Sequence, residues 1–195
     1  MTATLIIPGL DGSRDGHWQQ WWLDTDPTAK PVLLTELHNP VPRDWEAELV
    51  SAILDTPGAV LVGHSLGAVL IARVLAQWPH LDVKAALLVA PAEDPTHPRA
   101  KFFTPLPELS LRRPATVVAS RNDPWMKFDR ARDLSRYWQA RFIDLGRAGH
   151  INIEAGYGPW PAGIALRDDL IQRADRSART SRSWGVTSLF AASLA

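Results

Sequence analysis

The sequence predicts an α/β fold with a mostly parallel sheet, and three observations lead there. Short apolar runs alternate with amphipathic runs along the chain, the pattern of repeated strand–helix units. Two of those runs, Ala59–Val62 and Ala85–Val89, are apolar throughout, as central strands covered on both faces must be. Between the first of them and an Ala-rich helical run stands Gly63-His64-Ser65-Leu66-Gly67, which reads as a tight turn from strand to helix. The 195 residues suit one domain of ordinary size with a real core.

The elements follow in order. Thr4–Ile7 reads as the first strand and Trp18–Leu23 as a helix, with a Gly-rich connection between them. Val32–Thr35 is the second expected strand, and Arg43–Asp55 the next helix, its first turn made acidic by Asp44. Ala59–Val62 leads into the helix Leu66–Gln77, and Ala85–Val89 follows. The segment Pro91–Arg113 breaks the pattern. It carries five prolines between Pro91 and Pro107, so it cannot be a regular helix or strand and is expected to wrap over the strand ends as a loop. Ala115–Ala119, a helix over Phe128–Gln139, the strand Arg141–Asp144 and a helix over Trp160–Ala174 complete the domain, taken as residues 1–176. Residues 177–195 are rich in small side chains and fit no further strand; they read as an appended or mobile terminus.

Composition excludes several functions. Hydrophobic residues make up 46% and charged residues 22%, and 21 basic residues balance 21 acidic ones. That balance asks for neither nucleic acid nor an anionic membrane. Arg173, Arg176, Arg179 and Arg182 cluster locally and read as a solvated helix end. The absence of cysteine removes disulfides, zinc–thiolate sites and thiol nucleophiles. MTATLIIPGL lacks a basic segment followed by a long apolar one, and no apolar run reaches transmembrane length, so a soluble cytoplasmic protein is expected. No pattern sets an oligomeric state.

Chemistry concentrates at Ser65. A G-x-S-x-G turn with a strand before it and a helix after it can hold a serine in a strained conformation that lifts its hydroxyl above the sheet. The residues two before and two after must lack bulk, and Gly63 and Gly67 meet that demand. The Leu66 N–H, at a helix N-terminus, is then placed to stabilise an oxyanion. The alternative is an ordinary turn with a serine helix cap.

A nucleophilic serine needs a base and an acid that orients the base. Hydrolases of this layout order them serine, acid, histidine. Asp123 follows a strand in SRNDPW, and His150 follows the next strand in GRAGHIN. Both therefore emerge on the edge of the sheet where Ser65 emerges, the usual location of a site in an open parallel sheet. Asp123 could instead be a turn residue before proline, and Asp94 is a rival acid one strand earlier. His17, His38, His80 and His97 read as surface or capping groups, and His64 as packing beside the nucleophile. A second oxyanion donor is expected after the first strand, from the N–H of Leu10, with Asp11 as the alternative. Trp18, Trp21 and Trp22 look like core. Phe102, Phe103, Trp125 and Phe128 flank the active edge and are candidate pocket walls that could equally be core.

The chain resembles the small serine hydrolases related to retinoblastoma-binding protein nine, also called YdeN-like α/β-hydrolases. The motifs that carry the resemblance are PGLDGSRDGHWQQWW at 8–22, VGHSLGA at 62–68, LLVAPAE at 87–93, ASRNDPW at 119–125 and GHINIEAGYGPWP at 149–161. The resemblance implies a minimal three-layer α/β-hydrolase fold with strand order 2-1-3-4-5-6 and no large lid domain. It implies Ser65 as nucleophile, Asp123 as acid and His150 as base, acting on small esters, amides or peptides, with no cofactor or metal. The interaction motif for which that family is named contains a cysteine, which this chain lacks. A non-catalytic interaction module on the same frame and an acyltransferase are the alternatives to hydrolysis.

Overall fold

The computed structural model describes residues 1–191, with side chains through residue 180. Six strands form one sheet in the order β2-β1-β3-β4-β5-β6. They are β1 (Thr4–Ile7), β2 (Ala29–Pro31), β3 (Ala59–His64), β4 (Val83–Val89), β5 (Ala115–Ala119) and β6 (Arg141–Asp144), and every pairing is parallel. Five helices cover the two faces: α1 (Trp18–Thr25), α2 (Pro42–Asp55), α3 (Leu66–Gln77), α4 (Phe128–Tyr137) and α5 (Pro161–Ala191). This is the three-layer arrangement expected of an α/β-hydrolase, with no large lid.

The two faces can be read from the alternation of the central strands. Ala59 and Leu61 of β3, Ala86 and Leu88 of β4, and Val117 of β5 point toward α2, α3 and α4, where Trp45, Leu49, Leu70 and Trp138 complete one core. Val60 and Val62, Leu87 and Val89, and Val118 point the other way, onto Trp18 and Trp22 of α1 and Leu170 of α5. A strand with period-2 side chains buried on both sides has no polar face, which is why β3 reads as a continuous apolar run. Helix α3 is buried along nearly its whole length, because it lies between the sheet and α2.

Three elements differ from expectation. The second strand lies earlier, at Ala29–Pro31, pairing Thr4 with Ala29 and Ile6 with Pro31. It is a short, exposed edge, and Pro31 is tolerated there because an edge strand leaves donors unused. Val32 and Leu34 are apolar because they drop into the core beside Trp45, while Leu33 faces solvent. Helix α5 runs on past Ala174 to Ala191, through a stretch with no proline to stop it. The expected separate terminus, 177–195, thus begins within α5, and its last residues, 192–195, lie outside the described residues. The proline-rich loop holds a single 3-10 turn, Lys101–Phe103. The loop is fastened to α4, since Arg130 binds Glu93 at 2.6 and 2.9 Å and Trp138 Nε1 donates to the Pro107 carbonyl at 2.7 Å.

A buried ion pair joins the far side. Arg167 of α5 reaches Asp26 at 2.6 Å and Thr4 Oγ1 at 2.9 Å, and lies over the Trp22 ring. No helix of the described residues is long and apolar enough to cross a membrane.

Candidate active site

Strand β3 ends at His64, and α3 begins at Leu66, so Ser65 alone makes the turn. Its backbone sits at φ 56 and ψ −121, a conformation costly for a residue with a side chain and held only where the surroundings impose it. The surroundings here are two close approaches. A Cβ on Gly63 would stand 2.6 Å from the Gly67 carbonyl, and one on Gly67 would run into the carbonyl oxygens of Ile7 and Pro8. The first turn of α3 can pack this tightly against β3 and β1 only because both positions lack a side chain.

Ser65, His150 and Asp123 are brought together. His150 Nε2 lies 2.9 Å from Ser65 Oγ, and His150 Nδ1 lies 2.9 and 3.0 Å from the two Asp123 oxygens. The His150 and Asp123 side chains are 9% and 4% exposed, so the pair is shielded from competing water. Asp94 is elsewhere: its Oδ1 closes a turn by accepting from the Thr96 N–H and hydroxyl and from the His97 N–H.

The loop carrying His150 is pinned residue by residue. Ala148 N–H donates to Ser120 Oγ, and Gly149 N–H donates to Asn122 Oδ1, both at 2.9 Å. The His150 carbonyl accepts from His64 Nε2 at 2.8 Å, and the Ile151 carbonyl accepts from Trp18 Nε1 at 3.0 Å. Ser120 and Asn122 precede the expected acid in SRND, yet nothing in their residue type announces this role.

The loop after β1 lies against the serine. A Cβ on Gly9 would stand 2.9 Å from Ser65 Cβ and 3.4 Å from its Oγ, so only glycine lets Leu10 follow this closely. Leu10 and Leu66 both line the same cavity as Ser65. Leu66, as the first residue of α3, has no intrahelical acceptor for its N–H. The Asp11 N–H is already used, donating to the Leu37 carbonyl at 2.9 Å. Its carboxylate holds Arg99 at 2.8 and 3.1 Å and His38 at 2.7 Å, and the Arg99 guanidinium keeps the Asp11 carboxyl below the usual range.

The cavity measures about 780 Å³. Of the four candidate aromatic walls, Trp125 lines it and stands 6.3 Å from the His150 ring. The other three do not line it. Phe103 is fully buried in the core, edge-on to Trp45 at 5.4 Å. Phe102 points to solvent at 62% exposure under the Lys101 ammonium. Phe128 packs on Phe142 at 5.3 Å. The 3-10 turn sends consecutive phenylalanines in opposite directions, and neither direction is the cavity.

The cavity wall that sequence reasoning missed is His17. It does cap α1, its Nδ1 accepting from the Gln19 N–H at 3.1 Å, but it is 5% exposed and lines the cavity. Its ring lies 4.9 Å from that of His64, which lies 4.8 Å from that of His150. Burial pushes the His17 imidazole down to about 4 and holds His64 well below the ordinary histidine value. Both rings are therefore neutral at neutral pH.

The family model described as serine hydrolase matches residues 4–169. A solved structure described as a YdeN-like hydrolase of Pectobacterium atrosepticum is 31% identical, covers 89% of this chain and 92% of its own, and superposes with a TM-score of 0.81. The ydeN gene product of Bacillus subtilis is 20% identical, covering 88% of this chain and 100% of its own at a TM-score of 0.71. The esterase RhEst1 of Rhodococcus shares the fold at 14% identity, covering 87% of this chain and 90% of its own at a TM-score of 0.62. Among curated proteins none matches.

Proposed function

The chain belongs to the serine hydrolase family, and from that premise we propose that it cleaves small esters by acyl transfer from Ser65 to water. The observation that carries this is the line from Ser65 Oγ through His150 to Asp123, with contacts of 2.9–3.0 Å, opening on a cavity of about 780 Å³. That volume falls in the range of small-molecule sites, on the order of 300–1,000 Å³.

His150 Nε2 takes the Ser65 proton as Oγ attacks the ester carbonyl. Asp123 accepts from Nδ1–H, which fixes the tautomer with a free Nε2 lone pair and stabilises the imidazolium that forms. The negative charge that develops on the carbonyl oxygen is held by the N–H groups of Leu66 and Leu10, the first assisted by the α3 terminus. His150 then protonates the leaving alkoxide. Water attacks the acyl-enzyme, giving its proton to Nε2, and Ser65 leaves with that proton.

The test is labelling by a fluorophosphonate probe together with turnover of p-nitrophenyl esters. The parent protein should do both, and Ser65→Ala should do neither, with a loss of about 10⁴–10⁶ in rate and an unchanged fold by circular dichroism. Turnover by Ser65→Ala within tenfold of the parent would remove Ser65 from the role.

A further inference from the structure

We propose that the adjacent imidazoles of His17 and His64 form a hydroxyl-binding subsite in the cavity, taking a group that accepts from His17 Nε2–H and donates to His64 Nδ1. The inference rests on the catalytic reading of that cavity and adds to it what part of a reactant the wall beside His150 recognises.

The hydrogen-bond pattern fixes both rings. His17 Nδ1 accepts a backbone N–H, that of Gln19, at 3.1 Å, so its lone pair is there and its proton is on Nε2. His64 Nε2 faces a carbonyl, that of His150, at 2.8 Å, so its proton is on Nε2 and its lone pair on Nδ1. Each ring thus has one nitrogen occupied by the fold and one left over. The leftover on His17 is a donor, and the leftover on His64 is an acceptor. Neither has a hydrogen-bond partner among the described residues, although the rings are adjacent at 4.9 Å between centroids and 60° between planes.

Both residues are more than nine-tenths buried, at 5% and 6% exposure. Among the described residues, only Trp22 Nε1 and Arg113 Nε are unpartnered side-chain atoms sealed away from the surface. The two leftover imidazole nitrogens are not among these sealed atoms, and both residues line the cavity. A spare donor and a spare acceptor on adjacent rings in one cavity wall suit a ligand group that can meet both. A carbonyl oxygen meets only the donor, and an ammonium only the acceptor. A hydroxyl meets both at once. Because burial keeps both rings neutral, this complementarity holds across the working pH range.

Two sources supply that chemistry: a hydroxyl on the substrate, or the water that attacks the acyl-enzyme. Two variants isolate the subsite. His17→Asn keeps an oxygen to accept the Gln19 N–H and loses the Nε2 donor. His64→Gln keeps a donor for the His150 carbonyl and loses the Nδ1 acceptor. Each is measured with p-nitrophenyl acetate and p-nitrophenyl glycolate, which differ by one hydroxyl. If the substrate supplies the hydroxyl, the parent prefers the glycolate ester about tenfold in kcat/KM, and either variant abolishes that preference. If water supplies it, either variant lowers kcat for both esters about tenfold, and the burst of p-nitrophenol rises toward one equivalent as deacylation becomes limiting. In both cases one bridging group serves both rings, so the double variant should lose no more than about twofold beyond the worse single variant. Additive losses, or changes under twofold for both esters, overturn the proposal.

A measurement independent of turnover keeps this separate from the serine reading. Nitrogen-15 spectra of the histidines in the parent protein should show the Nε2–H tautomer for both residues. Added methanol should shift His17 Nε2 and His64 Nδ1 together, and His17→Asn should remove the His64 shift. A protonated Nδ1 on either ring, or no response to methanol, refutes the subsite even if the serine chemistry stands. If the parent neither labels nor turns over, the serine reading fails, and the spectra alone decide the subsite.

Discussion

The buried His17 should make folding stability fall as the solution is acidified, and the size of the fall can be worked out. Its imidazole is pushed from an ordinary 6.5 down to about 4, chiefly by burial, with the neighbouring His150 adding to the shift and Glu154 opposing it. A histidine whose value is depressed in the folded state is protonated first in the unfolded state. Stability is therefore complete above about 6.5 and is lost as pH falls from there toward about 4. Integrating proton binding between those limits gives a loss of about 2 kcal/mol between pH 7 and pH 5 from this residue. For a domain of this size that is roughly 4–8 °C in melting temperature. The perturbation is His17→Asn, which keeps an N-cap oxygen for α1 and removes the titrating ring. Urea unfolding at pH 7, 6 and 5 is compared for the two proteins. Lost ring packing against Trp18 and His64 lowers the variant equally at each pH, so it cancels in the slope. The parent should lose about 2 kcal/mol more than the variant over this window. Parallel curves would mean that His17 takes up a proton without unfolding, and the reasoning from its burial would be wrong.

Three other outcomes are expected. Asp123→Asn should lower kcat with p-nitrophenyl esters by about 10⁴ by spoiling the His150 tautomer, whereas Asp94→Asn, at a residue that lines the cavity but whose carboxylate closes the turn at Thr96 and His97, should cost less than tenfold. Gly63→Ala puts a methyl group 2.6 Å from the Gly67 carbonyl, so the turn must open; fluorophosphonate labelling of Ser65 should collapse, and urea unfolding should show a loss of about 1–3 kcal/mol. Arg167→Met leaves the Asp26 carboxylate buried without its cation and should cost about 3–5 kcal/mol by the same assay, part of which the further change Asp26→Leu should restore.

The elements that could be read in the sequence are those whose local pattern and tertiary role coincide. Strand β3 and helix α3 are dominated by apolar residues because both are buried along nearly their whole length, and the glycines between them are required by the close approach seen at Ser65. Asp123 and His150 could be singled out because loops at strand ends converge on one edge of a parallel sheet. The second strand misled because Val32 and Leu34 gain their burial from the core near Trp45 and not from pairing in the sheet. The phenylalanines misled because hydrophobicity does not encode direction: Phe102 and Phe103 are neighbours with opposite exposure. His17 was legible as a cap but not as a cavity wall, since a helix cap on the surface and one lining a cavity look the same in sequence. Arg167 gave no signal, because a buried arginine differs from an exposed one only through partners distant in the chain, here Asp26 and Thr4.

The fastening of the His150 loop bears on the role of base proposed for this residue. Ala148, Gly149, His150 and Ile151 are each tied to a side chain from somewhere else, namely Ser120, Asn122, His64 and Trp18. Those anchors sit just past β5, at the end of β3 and on α1, so no hinge can swing the loop without breaking into the body of the domain. The rotational and translational freedom of the imidazole is surrendered once, when the chain folds, and is not surrendered again at each turnover. The His150 imidazole has no softer motion than the fold itself, and heating should move it out of line with Ser65 only when the sheet and its helices come apart.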